Sequence, residues 1–381
     1  MEFKILASTS TENNDIKSRY NKLSGELAGI CYMQGDFESI QNQSDEKKLS
    51  RAEMIKENGH HSVFDHEFVT LYFEDVPKLF AMILNNERVY ATSEKSARYA
   101  KMNVAGKEKE LYDKWLGIMK AVITQRYGKE KYFTSKKIEK LAQENARYFI
   151  SIYTPTSFAY TVSYRQLNYL YTELKNCLKS SNPYIARLRD TITNFCNFLE
   201  KNDLIDEKIA NFAQNKAISL FAYKKRKEYF GDAYCTNYTG SFAMLAQAQR
   251  HRSLCYEFYD TDEIGFYVPE IIAKNDKLKQ MWLEDMQSVA SVCPQGKLIN
   301  ICERGLPENF VLKANERLCT CAQLEVSVQT KKTLLKYIAK TDDEEIRQLL
   351  TEKDKGARCL TGYKCANPCG FKEGINLTRE I

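Results

Sequence analysis

The sequence predicts a mixed α+β fold, because two different periodicities occur along the chain. The stretch "HEFVTLYFEDV" (66–76) alternates as a half-buried strand does, whereas residues 106–148 and 166–201 repeat apolar residues at helical spacing. Between these two helical segments, "YTPTSFAYTVSY" (153–164) is rich in the aromatic and β-branched residues that favour strands.

The other elements of the first half follow from helix start and stop signals. Residues 12–29 have helical spacing and end at a glycine, and "AEMIKENGHHS" predicts a helix that stops at Gly59. The segment "PKLFAMILNNERVYA" starts with Pro77, at a plausible first position of a helix, and continues at helical spacing. The polar, weakly apolar "EKNDLIDEK" (200–208) is the best candidate for a domain boundary.

Composition bounds the class of protein. The 381 residues are enough for two domains, and 43% hydrophobic with 28% charged residues indicates a soluble globular protein. No run of eighteen apolar residues occurs and "MEFKILASTS" lacks the form of a signal peptide, so we expect a cytoplasmic protein with no membrane partner. A net charge of +6 is too small to indicate nucleic acid by itself. Twelve irregularly spaced cysteines predict mostly free thiols.

Histidine is confined to two short blocks, "NGHHSVFDHEF" and "RHR". The four histidines are His60, His61, His66 and His251. This clustering favours a functional role over the surface or core role that is usual for a lone histidine. No metal site is predicted, because the first block reads as a loop before a strand and no HExxH pattern accompanies it. The tail cysteines match no standard zinc spacing; they are Cys359, Cys365 and Cys369.

Arginines carry most of the chemistry that the sequence offers. In "QAQRHRSLCYEFYD", Arg250 and Arg252 flank a histidine, an arrangement suited to phosphate or another anion. In "SEKSARY", Glu94, Ser96 and Arg98 could hold a phosphorylated ligand that carries hydroxyls; the alternative is a solvated helix face with a Glu94–Arg98 ion pair. No glycine-rich phosphate loop occurs, so any nucleotide must be bound by arginines.

The order of segments recurs after the candidate boundary. "YCTNYTGSF" is followed by an apolar helical segment that ends in "AQAQRHR", then by "CPQGKLINICERG" and by a helix through "NERLCTCAQLEVSVQTKKTLLKYIAK". The recurrence predicts an internal duplication with domains 1–205 and 206–381. Two unrelated domains are the alternative.

These blocks resemble the flavin-dependent thymidylate synthases. The signature of that family is RHR, seven residues and then Ser, within RHRxxSxNExSxRY. In the second half "RHR" is intact, but Asp260 stands where the serine belongs. In the first half the triplet is "NER" (86–88), and after seven residues comes Ser96 of "SEKSARY". One half therefore keeps the front of the signature and the other half keeps the back.

The resemblance extends through most of the chain. "NGHHSVFDH" is similar to the family's GHxSxxEH block, and "ENARYF…SYRQL" is similar to its arginine and N-x-R blocks, with Ser163 in place of the asparagine. "NERLCTCAQLEV" resembles N-x-R…AQWEI. The losses are complementary, because the counterpart of Arg317 in the first half is Leu174, and that of Arg147 in the second half is Ala290.

The resemblance implies a ligand for each matching residue. For the nucleotide these are Glu94, Ser96, Arg98, Tyr99, Arg147, Gln247, Arg250 and Arg317. For the flavin they are His60, Ser62, Arg165, Arg250, His251 and Arg252. Arg317 would also be catalytic, by stabilising negative charge on the uracil ring.

The resemblance also implies a fold and a reaction. We expect two repeats, each a small, mostly antiparallel sheet packed with long helices, in a homo-oligomer made of two fused pseudo-dimers. The reaction would be reductive methylation of dUMP to dTMP, with FAD as cofactor and NADPH and methylenetetrahydrofolate as co-substrates. Two alternatives stay open: a flavin enzyme with another C5 product, such as hydroxymethyl-dUMP, and a non-catalytic nucleotide- or flavin-binding relative. A nucleic-acid-binding protein is disfavoured, since no continuous Lys/Arg stripe occurs.

Overall fold

A computed structural model of the chain describes residues 1–9, 15–32, 36–98, 100, 102–213, 216–224, 226–365 and 380–381. The chain forms two compact units. Unit 1 comprises Met1–Lys95 and Pro155–Ile218, and unit 2 comprises Ser96–Thr154 and Ser219–Ile381. Residues 96–154 thus cluster with the second half, so the units do not coincide with the two repeats that the sequence predicts. The repeats themselves stay a prediction.

The structure combines short strands with helices, as the α+β prediction requires. The strands are β1 (Glu2–Ser8), β2 (Phe68–Pro77), β3 (Tyr90–Glu94), β4 (Pro155–Ser163), β5 (Tyr229–Phe230), β6 (Tyr234–Ser241), β7 (Cys255–Asp260) and β8 (Leu298–Gly305). The helices are α1 (Ile16–Gly29), α2 (Phe37–Gln41), α3 (Asp45–Glu57), α4 (Lys78–Leu84), α5 (Gly106–Tyr127), α6 (Ser135–Ala146), α7 (Tyr164–Cys177), α8 (Pro183–Ala186), α9 (Arg189–Lys201), α10 (Glu207–Ala210), α11 (Phe242–Ala248), α12 (Glu270–Ala273), α13 (Asp276–Ser288), α14 (Pro307–Arg317), α15 (Leu324–Lys340) and α16 (Glu344–Thr351).

The sheet of unit 1 has the order β1-β2-β4-β3, with every pair antiparallel. The predicted alternation of β2 is confirmed, because Val69, Leu71 and Phe73 are fully buried on one face. Phe73 stacks on Phe158 of the neighbouring strand with ring centroids 4.4 Å apart, a cross-strand pair that stabilises the sheet. Strand β1 was not predicted; all seven of its residues are exposed or half-buried, and the alternation of Glu2 and Lys4 with Phe3 and Ile5 does not continue beyond Leu6.

The sheet of unit 2 repeats this arrangement, with the order β5-β6-β8-β7 and every pair antiparallel. Counting the strands within each sheet, both have the order 1-2-4-3. Helix α14 packs on one face of the second sheet, where the rings of Tyr234 and Phe310 lie 5.3 Å apart. This packing fixes the C-terminal end of α14, at Arg317, relative to the sheet.

A helical core completes unit 2 and joins segments from both sequence halves. Trp115 of α5 and Trp282 of α13 are fully buried and meet edge to face, 4.8 Å apart. Nearby, Ser151 and Pro294 form an antiparallel bridge, beside which Gln295 N–H donates to the carbonyl of Ile150 at 2.7 Å. Residues on either side of the predicted boundary therefore share one core.

One local prediction needs correction. Pro77 was expected at the first helical position, but it is the last residue of β2 and the N-cap of α4. The ring of proline fixes φ near the value that both elements accept, so Pro77 can end the strand where the helix begins. The predicted stop at Gly59 agrees with the structure: α3 ends at Glu57 and Gly59 has φ +74°, a left-handed conformation that suits glycine.

Candidate functional site

Unit 2 gathers four arginines that are far apart in the sequence. Arg98 follows β3, Arg147 begins a 3₁₀ helix after α6, Arg250 follows α11, and Arg317 is the last residue of α14. Arg147 interacts electrostatically with Arg98 and Arg250, and so does Arg317. We call these four residues the arginine cluster. Two come from each half of the sequence.

Hydrogen bonds hold the first-half arginines of the cluster. The Arg98 guanidinium donates to the Glu144 carboxylate and, at 2.7 Å, to the carbonyl of Cys321. Arg147 donates to Gln323, at the N-terminal end of α15. The "CAQLEV" stretch (321–326) thus supplies side-chain and backbone acceptors to arginines that precede it by more than 170 residues.

Burial makes the arginine cluster electrostatically unusual. The side chains of Arg147 and Arg317 are only 6% and 9% exposed. Loss of hydration lowers the pKa of each guanidinium from its ordinary value, and the neighbouring cations lower it further, against the carboxylates of Glu144 for Arg147 and Glu316 for Arg317. Like charges held together away from water are costly unless an anion neutralises them, so the cluster is suited to an anionic ligand.

Polar atoms without hydrogen-bond partners around the arginine cluster also indicate a site for a ligand. Among the residues that the structure describes, no hydrogen-bond partner is found for Nε of Arg147, Nε of Arg317, Oε1 of Gln247 or Nε2 of His251, all of them buried. Buried polar groups in folded proteins nearly always have partners. A ligand with both donors and acceptors, such as a nucleotide, fits these atoms.

The "RHR" triplet lies at the end of α11. Arg250 and Arg252 are exposed, whereas His251 is buried. Burial lowers the pKa of His251 to about 2, with contributions from the cations of Arg317 and Lys313, so its imidazole is neutral at physiological pH. A neutral imidazole can donate or accept a hydrogen bond at Nε2 but adds no charge.

A cleft of about 600 Å³ opens at this triplet. Its lining residues are Arg250, His251, Arg252, Ser253, Leu312, Asn315, Glu316, Lys353 and Tyr363. Lys353 and Tyr363 come from the C-terminal segment, which sequence reasoning did not connect with the triplet. No motif signals them, because their place in the cleft follows from the path of the chain after α16.

The signature's serine position differs between the halves as the sequence indicated. Ser96 accepts the N–H of Arg98 at 3.3 Å, whereas Asp260 pairs with Lys297 at 2.6 Å. Glu94 belongs to unit 1, where Lys78 donates to it at 2.6 Å. The alternative of a helical Glu94–Arg98 pair is therefore wrong: Tyr90–Glu94 is a strand, and the two side chains have other partners. Tyr99 lies outside the described residues.

The predicted flavin residues of the first half are together in unit 1. His60 and Ser62 are exposed at the short 3₁₀ helix that follows α3. Asp65, at the end of the same 3₁₀ helix, forms an ion pair with Arg165 and accepts from Ser163 at 2.7 Å. Asp65 thereby holds Arg165, at the start of α7, next to this block, and Ser163 contributes where the family has asparagine.

The comparison with protein families identifies part of the chain. Residues 17–192 match the family Thy1, described as thymidylate synthase complementing protein. The matched region is a little less than half of the chain, and through it the chain is similar to that family. No curated protein matches the sequence significantly.

Solved structures of related enzymes show weak similarity. One is thymidylate synthase X from Helicobacter pylori with FAD and dUMP: 16% identity over 56% of this chain and 98% of that chain, with a TM-score of 0.32. Another structure of the H. pylori enzyme with FAD and dUMP has 15% identity over 57% and 100% of the two chains, with a TM-score of 0.32. The UMP/dUMP methylase PolB from Streptomyces cacaoi, bound with 5-Br dUMP, has 12% identity over 57% and 95%, with a TM-score of 0.34. Similarity at this level defines neither the ligands nor the reaction of this chain.

Two further properties concern the described part of the chain only. It contains no group of three or more His, Cys, Asp or Glu side chains arranged to hold a metal ion. None of its helices combines the length and the apolar character that crossing a bilayer requires. In the tail, Cys359 and Cys365 are exposed thiols, and Cys369 lies outside the described residues.

Proposed function

We propose that the protein is a flavin-dependent thymidylate synthase that methylates dUMP reductively to dTMP. The similarity of residues 17–192 to the family supports an enzyme that acts on dUMP with FAD. The observation that carries the proposal is the arginine cluster, because it assembles cations from both sequence halves in one unit. A nucleoside monophosphate carries negative charge that would neutralise these cations.

The residues take the following roles in this proposal. The nucleotide-binding set consists of Glu94, Ser96, Arg98, Tyr99, Arg147, Gln247, Arg250 and Arg317. Arg317 is buried and is brought to the cluster by the C-terminal end of α14, so its guanidinium stabilises negative charge that develops on the uracil ring. The flavin-binding set consists of His60, Ser62, Arg165, Arg250, His251 and Arg252. When bound by these residues, FAD reduced by NADPH would supply the hydride, and methylenetetrahydrofolate would supply the carbon.

The register of the two halves supports the predicted duplication. Helix α4 starts at Lys78 and α11 at Phe242, 164 positions later, and the two helices have equal length. Strand β4 starts at Pro155 and β8 at Leu298, 143 positions later. The spacing of 143 also relates Arg147 to Ala290, each the first residue of a 3₁₀ helix, and Leu174 to Arg317.

The β-bridge between Ser151 and Pro294 in unit 2 also fits the spacing of 143 residues. Ser151 and Pro294 are 143 positions apart and pair with each other. Equivalent positions pair in this way at a twofold axis, so the helical core of unit 2 has the character of an isologous dimer interface within one chain. Assembly of two such chains into a dimer of pseudo-dimers is part of the proposal.

The first-half counterpart of the arginine cluster is built differently. Glu87 takes the place of His251 and Leu174 that of Arg317, by the spacings of 164 and 143. Glu87 and its neighbour Glu173 are buried, and Lys216 lies 2.5 Å from the Glu173 carboxylate. A buried carboxyl pair repels phosphate, so we expect one nucleotide per chain rather than two.

A titration tests both the function and this stoichiometry. Purified protein is mixed with FAD, and the visible spectrum is recorded while dUMP is added. We expect a protein-bound flavin band that shifts and saturates at one dUMP per chain, followed by formation of dTMP when NADPH and methylenetetrahydrofolate are supplied. Product analysis separates dTMP from another C5 product.

Two other outcomes of this titration would each contradict a part of the proposal. If the protein retains no FAD and its visible spectrum does not shift when dUMP is added, the proposed enzymatic function is wrong. The non-catalytic alternative is then favoured. Saturation at two dUMP per chain is compatible with the proposed enzymatic function. It contradicts the expectation that the first-half counterpart of the arginine cluster binds no nucleotide.

A further inference from the structure

The C-terminal segment of unit 2 contributes to the cleft at the "RHR" triplet. Helix α16 is followed by a 3₁₀ helix, Glu352–Lys355, and both pack against α14 and α15. Lys353 on this 3₁₀ helix and Tyr363 farther along the chain line the cleft together with Arg250 and Arg252. No sequence motif assigned a role to Lys353 or Tyr363.

The 3₁₀ helix that carries Lys353 is held in place by other residues. The Lys331 ammonium group of α15 donates to the backbone carbonyl of Asp354 at 2.7 Å and to the carboxylate of the same residue. Gly356 ends the helix: its N–H donates to the carbonyl of Lys353 at 3.0 Å, and its φ of +106° is a conformation that suits glycine. Leu350, near the end of α16, is fully buried. The Lys353 side chain is therefore not needed to keep this segment folded.

The cleft has an excess of positive charge. Among the described residues that line it, Arg250, Arg252 and Lys353 are cations and Glu316 is the one carboxylate. The Glu316 carboxylate lies 3.6 Å from the guanidinium of Arg317, which offsets its charge. Lys353 is half-buried and forms no hydrogen bond or ion pair within the described part of the chain. These cations are suited to a phosphate group, which arginine and lysine bind by charge-assisted hydrogen bonds.

Two further features of the cleft indicate an organic ligand rather than a free ion. Leu312 and Tyr363 are 57% and 49% exposed, so apolar surface and an aromatic ring adjoin the cations. Nε2 of His251, which is buried and also lines the cleft, has no hydrogen-bond partner among the described residues. A planar ring can stack on tyrosine, and its heteroatoms can bond to the imidazole. The cleft thus suits a ligand that combines an aromatic ring with phosphate.

We propose that Lys353 binds a phosphate group of FAD in this cleft and that Tyr363 packs against a ring of the same ligand. The inference rests on the proposed function, which assigns Arg250, His251 and Arg252 to the flavin. The C-terminal segment thus completes a cofactor site whose other residues come from the "RHR" triplet. Because FAD and dUMP both carry phosphate, the test compares the two ligands.

Equilibrium titrations of the full chain test the role of Lys353. The Kd of FAD is measured from the quenching of flavin fluorescence, and the Kd of dUMP from the spectral shift of the FAD-saturated protein. Lys353→Met removes the cation and keeps a long, flexible side chain. We expect this variant to raise the Kd of FAD about tenfold and to leave that of dUMP within about twofold. The difference from the wild type should shrink at about 0.5 M salt, which screens the charge.

Three further variants separate ligand binding from a structural effect. Lys355→Met is the matched control, because Lys355 is exposed on the same 3₁₀ helix and does not line the cleft. It should bind FAD like the wild type, and so should Lys353→Arg, which keeps the charge. Tyr363→Ala should raise the Kd of FAD about fivefold through loss of the ring.

The outcomes distinguish this inference from the proposed function. If the wild type binds FAD and Lys353→Met binds it equally well, the inference is wrong and the proposed function stands. Weaker binding of dUMP with unchanged binding of FAD also overturns it. If the wild type binds no FAD, the proposed function is wrong, and calorimetric titration with inorganic pyrophosphate tests the cleft alone. Weaker pyrophosphate binding by Lys353→Met than by Lys355→Met then supports a phosphate site at Lys353, whereas equal binding or none excludes it.

Discussion

Replacing Arg317 with alanine is expected to lower kcat for dTMP formation by at least about a hundredfold while FAD stays bound. The guanidinium is 9% exposed, its Nε has no partner among the described residues, and it belongs to a cluster short of negative charge. A fixed cation in a site with little water stabilises developing negative charge far more than it would in solution, and loss of one such group typically costs about 10²–10³ in rate. Steady-state assays together with the flavin spectrum measure the two effects separately.

Arg347→Ala is the matched control for this prediction. Arg347 is an arginine of the same unit, on α16, paired with the exposed Glu344. Its removal should leave kcat and flavin binding near the wild-type values. If Arg317→Ala retains wild-type turnover, the catalytic role of Arg317 is wrong, even if the protein proves to be a thymidylate synthase.

Replacing Glu67 with glutamine is expected to stabilise the protein by up to about 5 kcal/mol at pH 8 and by almost nothing near pH 4. Glu67 is fully buried in unit 1; Ser24 donates to its Oε1 at 2.8 Å, and its Oε2 has no partner among the described residues. Burial raises the pKa of this carboxyl from 4.5 to about 9. The folded state therefore holds a proton that the unfolded chain releases above pH 4.5.

The sign of the effect follows from this raised pKa. The contribution of Glu67 to stability is complete below pH 4.5 and is lost as the pH rises towards 9, by about 1.4 kcal/mol per pH unit at most. Glutamine keeps the acceptor for Ser24 and has no proton to lose, so the advantage of the variant should grow with pH. Urea titrations at pH 5, 6.5 and 8 measure it, with the exposed Glu139→Gln as control. An advantage that is constant with pH would show that Glu67 is ionised in the folded protein.

Strands β2 and β4 and the long helices could be predicted because each carries its own periodicity. The first strand was missed, because its alternation covers only a few residues and none of them is fully buried. The candidate signature residues were selected by their spacing in the sequence, and the pairing of Leu174 with Arg317 across the two halves stays a prediction.

Other residues of the candidate site gave no sequence signal. Behind the site, the buried ion pair of Lys313 on α14 with Glu303 on β8 was not predicted either, because a lysine in an amphipathic helix normally indicates a solvated face rather than a side chain 1% exposed. Lys353 was likewise invisible, since its place in the cleft depends on how the chain returns after α16. A sequence pattern depends on the residues that are adjacent along the chain, whereas these positions depend on contacts with residues that are distant in sequence.

The sequence by itself determined the periodic elements and supplied the arginines that could bind an anion; the division of the signature between two halves is its prediction. Only the tertiary structure decided that Arg98, Arg147, Arg250 and Arg317 share one unit, because residues 96–154 fold with the second half rather than with their own sheet. The physical reason is burial: the apolar faces of α5 and α6 are covered by α13 and its neighbours, and this core carries the first-half arginines to the second-half site.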